Sequence, residues 1–237
     1  MYSNEKSLTQ HVCVFDVDET LVHTYFAEDE RASLKIAEDL GIYTTPKLMD
    51  IRNRSIRIKF DDPRVPRGSG NDYDCWGIMR PHLKKHLTFA FRYFRKVVIW
   101  SAGLKEYVNR VTSYINNDNR KFDLVYHRWY CDLIDGVHTK PLAKMIEKHP
   151  ELGPIEHMFI VDDREDIALY NMDNLILIPA YSPEISMKKD GTINIDKTVK
   201  ALREEDDAFE RLESWLMQPK VLKARDVRTL DKSGIFR

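Results

Sequence analysis

Four short blocks of apolar residues constrain the fold of this chain more than any other feature of its sequence. Each block is nearly continuous, with little polar alternation, which is typical of strands buried on both faces of a parallel sheet. The blocks span residues 11–15, 97–100, 158–161 and 175–178, with a fifth candidate at 122–126. We therefore expect these blocks to lie side by side in one buried sheet.

Amphipathic helical patterns separate the blocks. In the clearest of them, Leu83, Leu87, Ala90 and Phe94 fall on one stripe, and Pro81 suits the first turn. The predicted helices span residues 81–95, 104–115, 140–149, 163–170 and 199–217. Strands that alternate with helices predict an α/β fold, a doubly wound and mainly parallel sheet.

One region, residues 27–79, interrupts this alternation and predicts an insert. It begins with a helix over 29–40, for which Gly41 is a suitable stop, and a weaker helix over 46–54. Ile56 and Ile58 alternate with charged residues, the stretch 63–74 is a loop by composition, and 75–79 could return as a partner strand. The insert is therefore predicted to be a small antiparallel β-hairpin beside the main sheet.

The bulk composition predicts one soluble globular domain over residues 1–217 and a basic C-terminal tail over 218–237, of which residues 222–237 are expected to be mobile or loosely docked. The 237 residues are 43% hydrophobic and 32% charged, with a formal net charge of -1. We find no apolar stretch near the roughly 20 residues of a membrane helix, and no signal peptide at the N-terminus. The three cysteines are far apart, which favours a reducing, intracellular compartment, cytoplasmic or nuclear. Nothing in the sequence indicates an oligomeric state.

Charge is unevenly distributed along the chain. Lys and Arg outnumber Asp and Glu between Lys47 and Lys96 and again after Met217, whereas residues 203–213 are mainly acidic. The basic stretch is either a solvated face or a rim that attracts an anionic substrate. Nucleic acid stays open as a partner, although no nucleic-acid-binding motif is present.

Polar residues follow the predicted strands at their carboxyl ends, which is where open α/β sheets bind ligands. The first strand is followed by two aspartates two positions apart, the second by a serine and the fourth by two adjacent aspartates, and a lysine opens the helix before that fourth strand. These residues are Asp16, Asp18 and Thr20, then Ser101, then Asp162 and Asp163, and Lys140. We expect them to converge on one site.

Several carboxylates at one site repel each other strongly in a low dielectric unless a cation is present. Mg²⁺ prefers such hard oxygen ligands and usually also binds phosphate and water. A phosphate would in turn be the partner of a lysine and a serine hydroxyl. Lys140 is the preferred lysine, and Lys144, one turn further along, is its competitor. The residue types therefore favour phosphoryl transfer with Mg²⁺.

The ordered motifs DVDET, WSAG, TKPL and VDDRED resemble those of the haloacid dehalogenase superfamily of aspartyl phosphatases. The chain is most similar to the FCP/SCP-type phosphatases, which act on the C-terminal domain of RNA polymerase II and on other phosphoproteins. The stretch MRPHLKKHL before VVIWSAGLKEYVNRV strengthens the likeness, and Val17 stands where the family usually has Leu. The resemblance spans about residues 12–217 and implies the fold of that superfamily.

The resemblance also implies catalytic and metal-binding roles. Asp16 would attack phosphorus and form an aspartyl-phosphate, and Asp18 would carry protons to and from the reacting oxygens. Mg²⁺ would be bound by the carboxylates of Asp16 and Asp162 and the main-chain carbonyl of Asp18. Asp163 would be either an outer metal ligand or a partner that orients Lys140.

The remaining implied roles concern the substrate. Lys140 would offset charge on the phosphoryl oxygens, and Ser101 would donate a hydrogen bond to phosphate. Thr20 would brace the loop of the first motif, and Arg80 would contact the phosphate or its peptide.

The leading hypothesis is an Mg²⁺-dependent phosphatase of phosphoserine or phosphothreonine in proteins. A second hypothesis keeps the chemistry and changes the substrate to a nucleotide or a polynucleotide phosphate end, supported only by the basic stretch from Lys47 to Lys96. A third is a catalytically silent relative that binds phosphopeptides, against which the retained Asp16, Asp18, Lys140 and Asp162 argue.

Overall fold

Five parallel strands form the centre of the structure, a computed structural model that describes residues 7–25, 33–61, 72–116 and 121–237. The strands of the described residues are β1 (Val12–Phe15), β2 (Val22–Tyr25), β3 (Ser55–Asp61), β4 (Asp72–Met79), β5 (Lys96–Trp100), β6 (Leu124–Tyr126), β7 (Asp132–Ile134), β8 (Val137–Thr139), β9 (Met158–Asp162) and β10 (Leu175–Leu177). The α-helices are α1 (Ser33–Asp39), α2 (Met49–Arg52), α3 (Leu83–Tyr93), α4 (Lys105–Ile115), α5 (Leu142–Lys148), α6 (Ile195–Leu202), α7 (Ala208–Leu216) and α8 (Pro219–Leu222).

The central sheet has the order β10-β9-β1-β5-β6, and every neighbouring pair is parallel. Val14 of β1 lies beside Val98 of β5 on one side and Ile160 of β9 on the other. All four residues of β1 are completely buried. The four apolar blocks and the fifth candidate are therefore confirmed as the strands of one parallel sheet.

The strand order places a topological switch point at β1. The chain runs from β1 outward through β5 to β6 and then returns to add β9 and β10 on the opposite side. Connections that leave β1 and its neighbours in opposite directions open a crevice beyond the carboxyl ends of those strands. The loops after β1, β5 and β9 therefore meet at one edge of the sheet.

Helices cover both faces of this sheet, as the doubly wound fold requires. Alternate residues of β1 point to opposite layers. Cys13 and Phe15 lie in the same core cluster as residues of α3, α4 and α7, whereas Val12 and Val14 pack with Leu142 of α5. The predicted helices over 81–95, 104–115 and 140–149 are confirmed as α3, α4 and α5.

The insert and strand β2, which directly precedes it, form a three-stranded antiparallel sheet of order β2-β4-β3. The predicted hairpin is confirmed, with Ile56 opposite Gly77 and Ile58 opposite Cys75. Strand β2, directly after the first motif, adds a third strand that the sequence reading did not predict. Of the predicted loop 63–74, residues 72–74 belong to β4 and the rest lies outside the described residues.

The helices of the insert begin and end close to their predicted bounds. Helix α1 starts at Ser33, and residues 29–32 of the predicted helix lie outside the described residues. Its last turn is followed by Gly41 at φ +69°, a conformation that costs glycine little. The weaker helix over 46–54 is a 3₁₀ turn, Pro46–Leu48, followed by α2.

Two helix predictions are wrong. Over 163–170 only a 3₁₀ turn forms, Asp166–Ala168, and the Ile167 carbonyl there accepts the Lys140 amide at 2.9 Å instead of extending a helix. The pattern over 199–217 is two helices, α6 and α7, separated by residues 203–207. Four successive acidic residues repel each other in a helix, and Asp206 uses its carboxylate to bind Arg80 and the Ala208 amide.

The C-terminal residues pack against the domain, so the expectation of a loosely docked tail is wrong. Val221 and Val227 are completely buried and belong, with Ile235, to the same core cluster as Phe15 of β1. His11 Nε2 also lies 2.9 Å from the Ala224 carbonyl oxygen.

Across the described ranges, no helix combines the length and the apolar character needed to cross a membrane. The three cysteines form no disulfide in the part of the chain that the structure describes, and Cys13 and Cys75 are buried.

Candidate functional site

A cavity of about 470 Å³ opens at the carboxyl edge of the central sheet, where the strand order places the crevice. Loops after β1, β5, β6 and β9 contribute its walls, and the insert adds two aromatic rings. Its lining includes Asp16, Asp18, Lys140, Asp162 and Asp163, together with Phe60, Tyr73, Gly103, Leu104, Tyr107, Arg128 and Arg164. The cavity therefore brings together charged groups from separate stretches of the chain.

The loop after β1 is a tight turn held by its own backbone. The Asp16 amide donates to the Val161 carbonyl at 3.0 Å, which continues the β1–β9 pairing by one residue. The amides of Leu21 and Val22 both donate to the Val17 carbonyl, and Glu19 adopts φ +55°. This turn fixes where the Asp16 and Asp18 side chains leave the sheet.

Lys140 lies between two carboxylates at the bottom of the cavity. Its ammonium donates to Asp16 Oδ1 and, at 2.6 Å, to Asp162 Oδ2. Only 1% of the lysine is exposed. Burial opposes the charge on Lys140, but the carboxylates of Asp16 and Asp162 outweigh that effect and raise the pKa of the ammonium. Lys140 therefore stays charged and partly neutralises the carboxylates.

The carboxyl groups respond to the same environment. Burial raises the pKa of Asp16 well above its usual value, and the Lys140 charge acts in the opposite direction. Burial also raises the pKa of Asp163, to which the neighbouring Asp162 charge adds. Carboxylates that are costly to ionise in isolation favour a further cation beside them.

The two aspartates after β9 are held in place by the adjacent loops. Asp162 Oδ1 accepts the Arg164 amide at 3.0 Å, and Thr20 Oγ1 donates to Asp163 Oδ1 at 3.2 Å. Thr20 is completely buried. The loop after β1 is thereby tied to the loop after β9.

The residues present fit a magnesium ion. One oxygen from each of Asp16, Asp162 and Asp163 lies within 4.8 Å of the other two, and the set consists only of oxygen donors. Such a set suits a hard cation such as Mg²⁺. The side chain of Asp18 lies outside this group, so the predicted role of its main-chain carbonyl stays a prediction.

Asp18 is held by hydrogen bonds to both of its carboxylate oxygens. Tyr107 donates its phenolic hydroxyl to Oδ1, and Ser101 donates to Oδ2 at 3.2 Å. Burial raises the pKa of Asp18 to about 6, although these two hydrogen bonds act to lower it. Such a pKa leaves roughly a tenth of Asp18 protonated at pH 7 and about half at pH 6, so both forms that proton transfer requires are populated.

The two candidate lysines lie in different surroundings. Lys144 is exposed and binds Asp132 at 2.6 Å, away from the acidic cluster, whereas Lys140 contacts it directly. Ser101 is buried, donates to Asp18 and accepts the Gly103 amide at 2.9 Å. The structure thus brings Asp16, Asp18, Thr20, Ser101, Lys140, Asp162 and Asp163 together.

Arg80 is a correction to the predicted set. It is 1% exposed and forms an ion pair with Asp206, with its Nη2 atom 2.9 Å from the carboxylate. Its Nη1 atom donates to the Thr20 carbonyl at 3.2 Å. Arg80 is therefore buried behind the loop after β1, where it braces that loop, and it does not line the cavity.

Several residues of the cavity wall are not identified by the sequence patterns, among them Tyr107 and Arg128. Tyr107 falls on the apolar stripe of the helix predicted over 104–115, and nothing in that periodicity distinguishes it from a core residue. Arg128 lies two residues beyond the carboxyl end of β6. Its place after the fifth apolar block is the same signal that indicates Asp16, Ser101 and Asp162 at the ends of their strands.

A comparison with protein families gives the decisive match. The model of the NLI interacting factor-like phosphatase family matches residues 11–209. This chain belongs to that family. The matched range includes every residue of the acidic cluster and Lys140.

Solved structures give the same fold. The chain is similar to fission yeast RNA polymerase II CTD phosphatase Fcp1, solved as a variant bound to beryllium fluoride, with a TM-score of 0.63 and 17% identity over 88% of this chain and 62% of that one. It is also similar to a second structure of Fcp1, described as an essential RNA polymerase II CTD phosphatase, with a TM-score of 0.58 and 16% identity over 95% and 59% of the two chains. This chain thus spans about three fifths of those proteins. Comparison with curated proteins found no match.

Proposed function

We propose that this member of the phosphatase family is an Mg²⁺-dependent phosphatase of phosphoserine or phosphothreonine in proteins, acting through an aspartyl-phosphate on Asp16. The observation that carries the proposal is the convergence of the Asp16, Asp162 and Asp163 carboxylates within 4.8 Å, with Lys140 between two of them. Asp18 lies outside this group and adds another carboxyl, which accepts hydrogen bonds from Ser101 and Tyr107.

Asp16 is the group placed to attack phosphorus. It follows directly after the rigid, buried strand β1, and its amide is fixed by the Val161 carbonyl. Attack by an Asp16 oxygen forms a phosphorus–oxygen bond and breaks the bond to the serine or threonine oxygen. This divides one difficult displacement into two easier ones.

Asp18 is the group placed to move protons. Protonated Asp18 gives its proton to the departing serine or threonine oxygen in the first step. The Asp18 carboxylate then takes a proton from the water that attacks the aspartyl-phosphate, and the cycle returns Asp16 as a free carboxylate and releases inorganic phosphate. The pKa of Asp18, which burial raises to about 6, suits a group that serves in both forms.

Charge at the site is offset by cations. Lys140 neutralises part of the charge on Asp16 and Asp162 and is within reach of a phosphoryl group attached to Asp16. Mg²⁺ bound by Asp16, Asp162 and Asp163 would stabilise negative charge on the phosphoryl oxygens. The proposal also assigns to Ser101, whose hydroxyl donates to Asp18 in this structure, a hydrogen bond to the phosphate.

The cavity supports a phosphopeptide as the substrate. It is bordered by Phe60 and Tyr73 of the insert and by Arg128 and Arg164 of the main domain, which offers both apolar and cationic contacts to residues that flank a phosphate. The similar solved structures belong to phosphatases of the RNA polymerase II CTD. A phosphorylated peptide of that repeating type is therefore the first substrate to test.

The nucleic-acid alternative has less support. Its basis was the basic stretch from Lys47 to Lys96, yet the cationic residues that line the cavity within the described ranges are Arg128, Lys140 and Arg164, all outside that stretch. The silent-relative alternative conflicts with the retention of both motif aspartates and Lys140 in contact geometry.

Phosphate release separates these alternatives. With MgCl₂ present, we expect release from a phosphoserine heptad peptide and much less from a phosphate-ended oligonucleotide. Asp16→Asn should remove this activity, with a loss of at least about 100-fold, because the amide is not a nucleophile. Lys144→Met is the matched surface control and should leave the rate unchanged, since Lys144 pairs only with Asp132 within the described residues. Equal rates for Asp16→Asn and the parent would refute the proposed mechanism.

We also propose that residues 1–217 contain the whole catalytic apparatus and that the chain acts inside the cell, in the cytoplasm or the nucleus. The site residues all lie between Asp16 and Asp163, which supports the first part. The basic segment 218–237 is then a packing element, since Val221 and Val227 are buried in the core.

A further inference from the structure

Asp18 is connected to the insert by a short chain of hydrogen bonds. The Tyr107 hydroxyl donates to Asp18 Oδ1, and the Thr24 hydroxyl lies 2.9 Å from the Tyr107 oxygen. Since Tyr107 uses its only hydrogen on Asp18, Thr24 is the donor to Tyr107. Thr24 belongs to β2, which pairs with β4 of the insert. Tyr107 belongs to α4 of the main domain, and Asp18 to the loop after β1.

The Tyr107 ring is fixed by close packing. It is 4% exposed, and Phe60 of β3 contacts its ring edge-on with centroids 6.2 Å apart. Gly103 leaves room for it, because a Cβ atom there would lie 2.8 Å from Tyr107 Cδ1 and 3.0 Å from Ser101 Oγ. Both hydroxyl groups that hold Asp18 therefore depend on a glycine at position 103.

The two hydrogen bonds to Asp18 are not equivalent. Ser101 lies 3.2 Å from Oδ2 and also accepts the Gly103 amide at 2.9 Å, so it is held within its own loop. Tyr107 donates to Oδ1 from a different element, and the Thr24 hydroxyl donates to the Tyr107 oxygen. The orientation of the Asp18 carboxyl therefore depends on α4 and β2 as well as on the loop after β5.

We propose that Tyr107 is a positioning residue for leaving-group protonation: with the support of Thr24, its hydroxyl orients the Asp18 carboxyl toward the departing oxygen. The inference rests on the proposed phosphatase function and deepens it. It assigns the small antiparallel sheet a part in the chemistry, because Thr24 of β2 donates to the tyrosine that orients Asp18.

A positioning role and a purely structural role differ in their dependence on the leaving group. A serine alkoxide needs a proton as it departs, whereas p-nitrophenolate departs without one. General acid catalysis contributes about 10²- to 10⁴-fold where it operates. Loss of proton positioning should therefore affect a phosphoserine substrate much more than p-nitrophenyl phosphate, and it should act on kcat more than on KM.

The test compares Tyr107→Phe with the parent on a phosphoserine peptide and on p-nitrophenyl phosphate, both with MgCl₂. We expect kcat on the phosphopeptide to fall by about tenfold or more, with KM changed less than about threefold, and a smaller fall on the aryl phosphate. Thr24→Val, which removes the hydroxyl that supports Tyr107, should show the same preference for the aryl phosphate with a smaller loss.

Tyr114→Phe is the matched control, because Tyr114 lies on the same helix and is 43% exposed. It should match the parent on both substrates. Equal losses on both substrates in Tyr107→Phe, or no loss on either, would overturn the inference and leave the proposed function standing. A parent that hydrolyses neither substrate would overturn the proposed function itself and the inference with it.

Discussion

At the scale of single residues, the most important feature of the site is that several charged groups are buried close together. Asp16 and Asp162 are 7% and 1% exposed, and the ammonium of Lys140 is the cation that contacts both of them. Removing one partner of a buried ion pair leaves the other charge without compensation, which is more costly than never having buried it. The stability of this site should therefore depend on Lys140 and on a bound metal together.

We expect Lys140→Met to be inactive and to unfold more easily by about 3 kcal/mol in the absence of metal, since two buried carboxylates lose their counter-charge. Added MgCl₂ should restore part of that stability through the remaining carboxylates. Thermal unfolding with and without MgCl₂ measures both effects. Lys144→Met, which removes an exposed pair with Asp132, is the control and should unfold like the parent. A Lys140→Met protein with the parent's unfolding temperature would contradict this account.

Arg80 illustrates the limit of reading a residue's role from its position in a motif. It stacks over Phe209, with its Cζ atom 5.4 Å from the ring centroid, and pairs with Asp206 on the segment between α6 and α7. No sequence periodicity links residues 126 positions apart. Its packing partner could be known only from the tertiary structure.

Arg80→Met should therefore lower the free energy of unfolding by about 3 kcal/mol, because it leaves Asp206 and the Thr20 carbonyl without their buried donor. Substrate KM should change little in the fraction that stays folded. Urea unfolding gives the first quantity, and initial rates give the second. Arg57→Met, which removes an exposed pair with Asp74, should cost less than about 1 kcal/mol. A large rise in KM without destabilisation would restore Arg80 to the substrate site.

His86 should make stability depend on pH. It is completely buried, its Nδ1–H donates to the Glu213 carboxylate at 2.9 Å, and its ring stacks on Phe209. Burial lowers its pKa below the usual 6.5, although Glu213 acts in the opposite direction; Arg80 and Glu210 also lie nearby. As pH falls through about 6.5, the unfolded chain therefore binds a proton that the folded protein does not, and stability decreases.

We expect the unfolding temperature to fall between about pH 7.5 and about pH 5.5, and to fall less in His86→Gln, which keeps a hydrogen-bonding group but does not titrate in that window. Thermal unfolding at the two pH values measures the difference. The same fall in both proteins would show that the pKa of His86 does not differ between the folded and the unfolded protein.

At the scale of elements, the sequence predicts those whose pattern is local. The blocks at 11–15, 97–100 and 158–161 became β1, β5 and β9 because continuous burial leaves a continuous apolar run. Strand β2 is not predicted, because its four residues, VHTY, are too few to show the alternation of apolar and polar residues that separates a strand from a loop. The break between α6 and α7 was missed because both helices keep the apolar spacing, and the break depends on the distant Arg80.

The end of α1 gives a test at this scale. A side chain at position 41 would be strained at φ +69°, and its Cβ would lie 2.8 Å from Thr45 Oγ1. We expect Gly41→Ala to cost about 1–2 kcal/mol in urea unfolding. Gly234→Ala is the control, since a Cβ there meets no atom within 4 Å, and it should change stability by less than about 0.5 kcal/mol. Equal costs would mean that Gly41 is not needed to end the helix.

At the scale of the whole molecule, convergence of the site follows from topology. Parallel strands present their carboxyl ends at one edge, so Asp16, Ser101 and Asp162 could be placed together from the sequence alone. The contacts that orient them could not, because Tyr107 and Thr20 act across elements far apart in the chain. The sequence also did not predict that the C-terminal segment packs against the core. The segment is basic overall, and its few buried apolar residues, Val221, Val227 and Ile235, show no regular spacing.

Val227 tests how closely that C-terminal segment is part of the folding unit. Because Val227 is completely buried in the main core cluster, we expect Val227→Ala to cost about 2 kcal/mol in urea unfolding, with a single transition. Met217→Ala, at a side chain 46% exposed, is the control and should cost less than about 0.5 kcal/mol. A Val227→Ala protein as stable as the parent would show that the segment docks independently of the core.

The middle position of β1 has a consequence for the order in which the protein opens. Both edges of β1 are paired, to β5 and to β9, and its four residues are inaccessible to solvent. Its amide hydrogens can exchange with deuterium only when the surrounding sheet has come apart. Asp16, the proposed nucleophile, is thus attached to what should be among the slowest-exchanging segments, so partial openings elsewhere, in the insert for example, would leave its carboxylate in register.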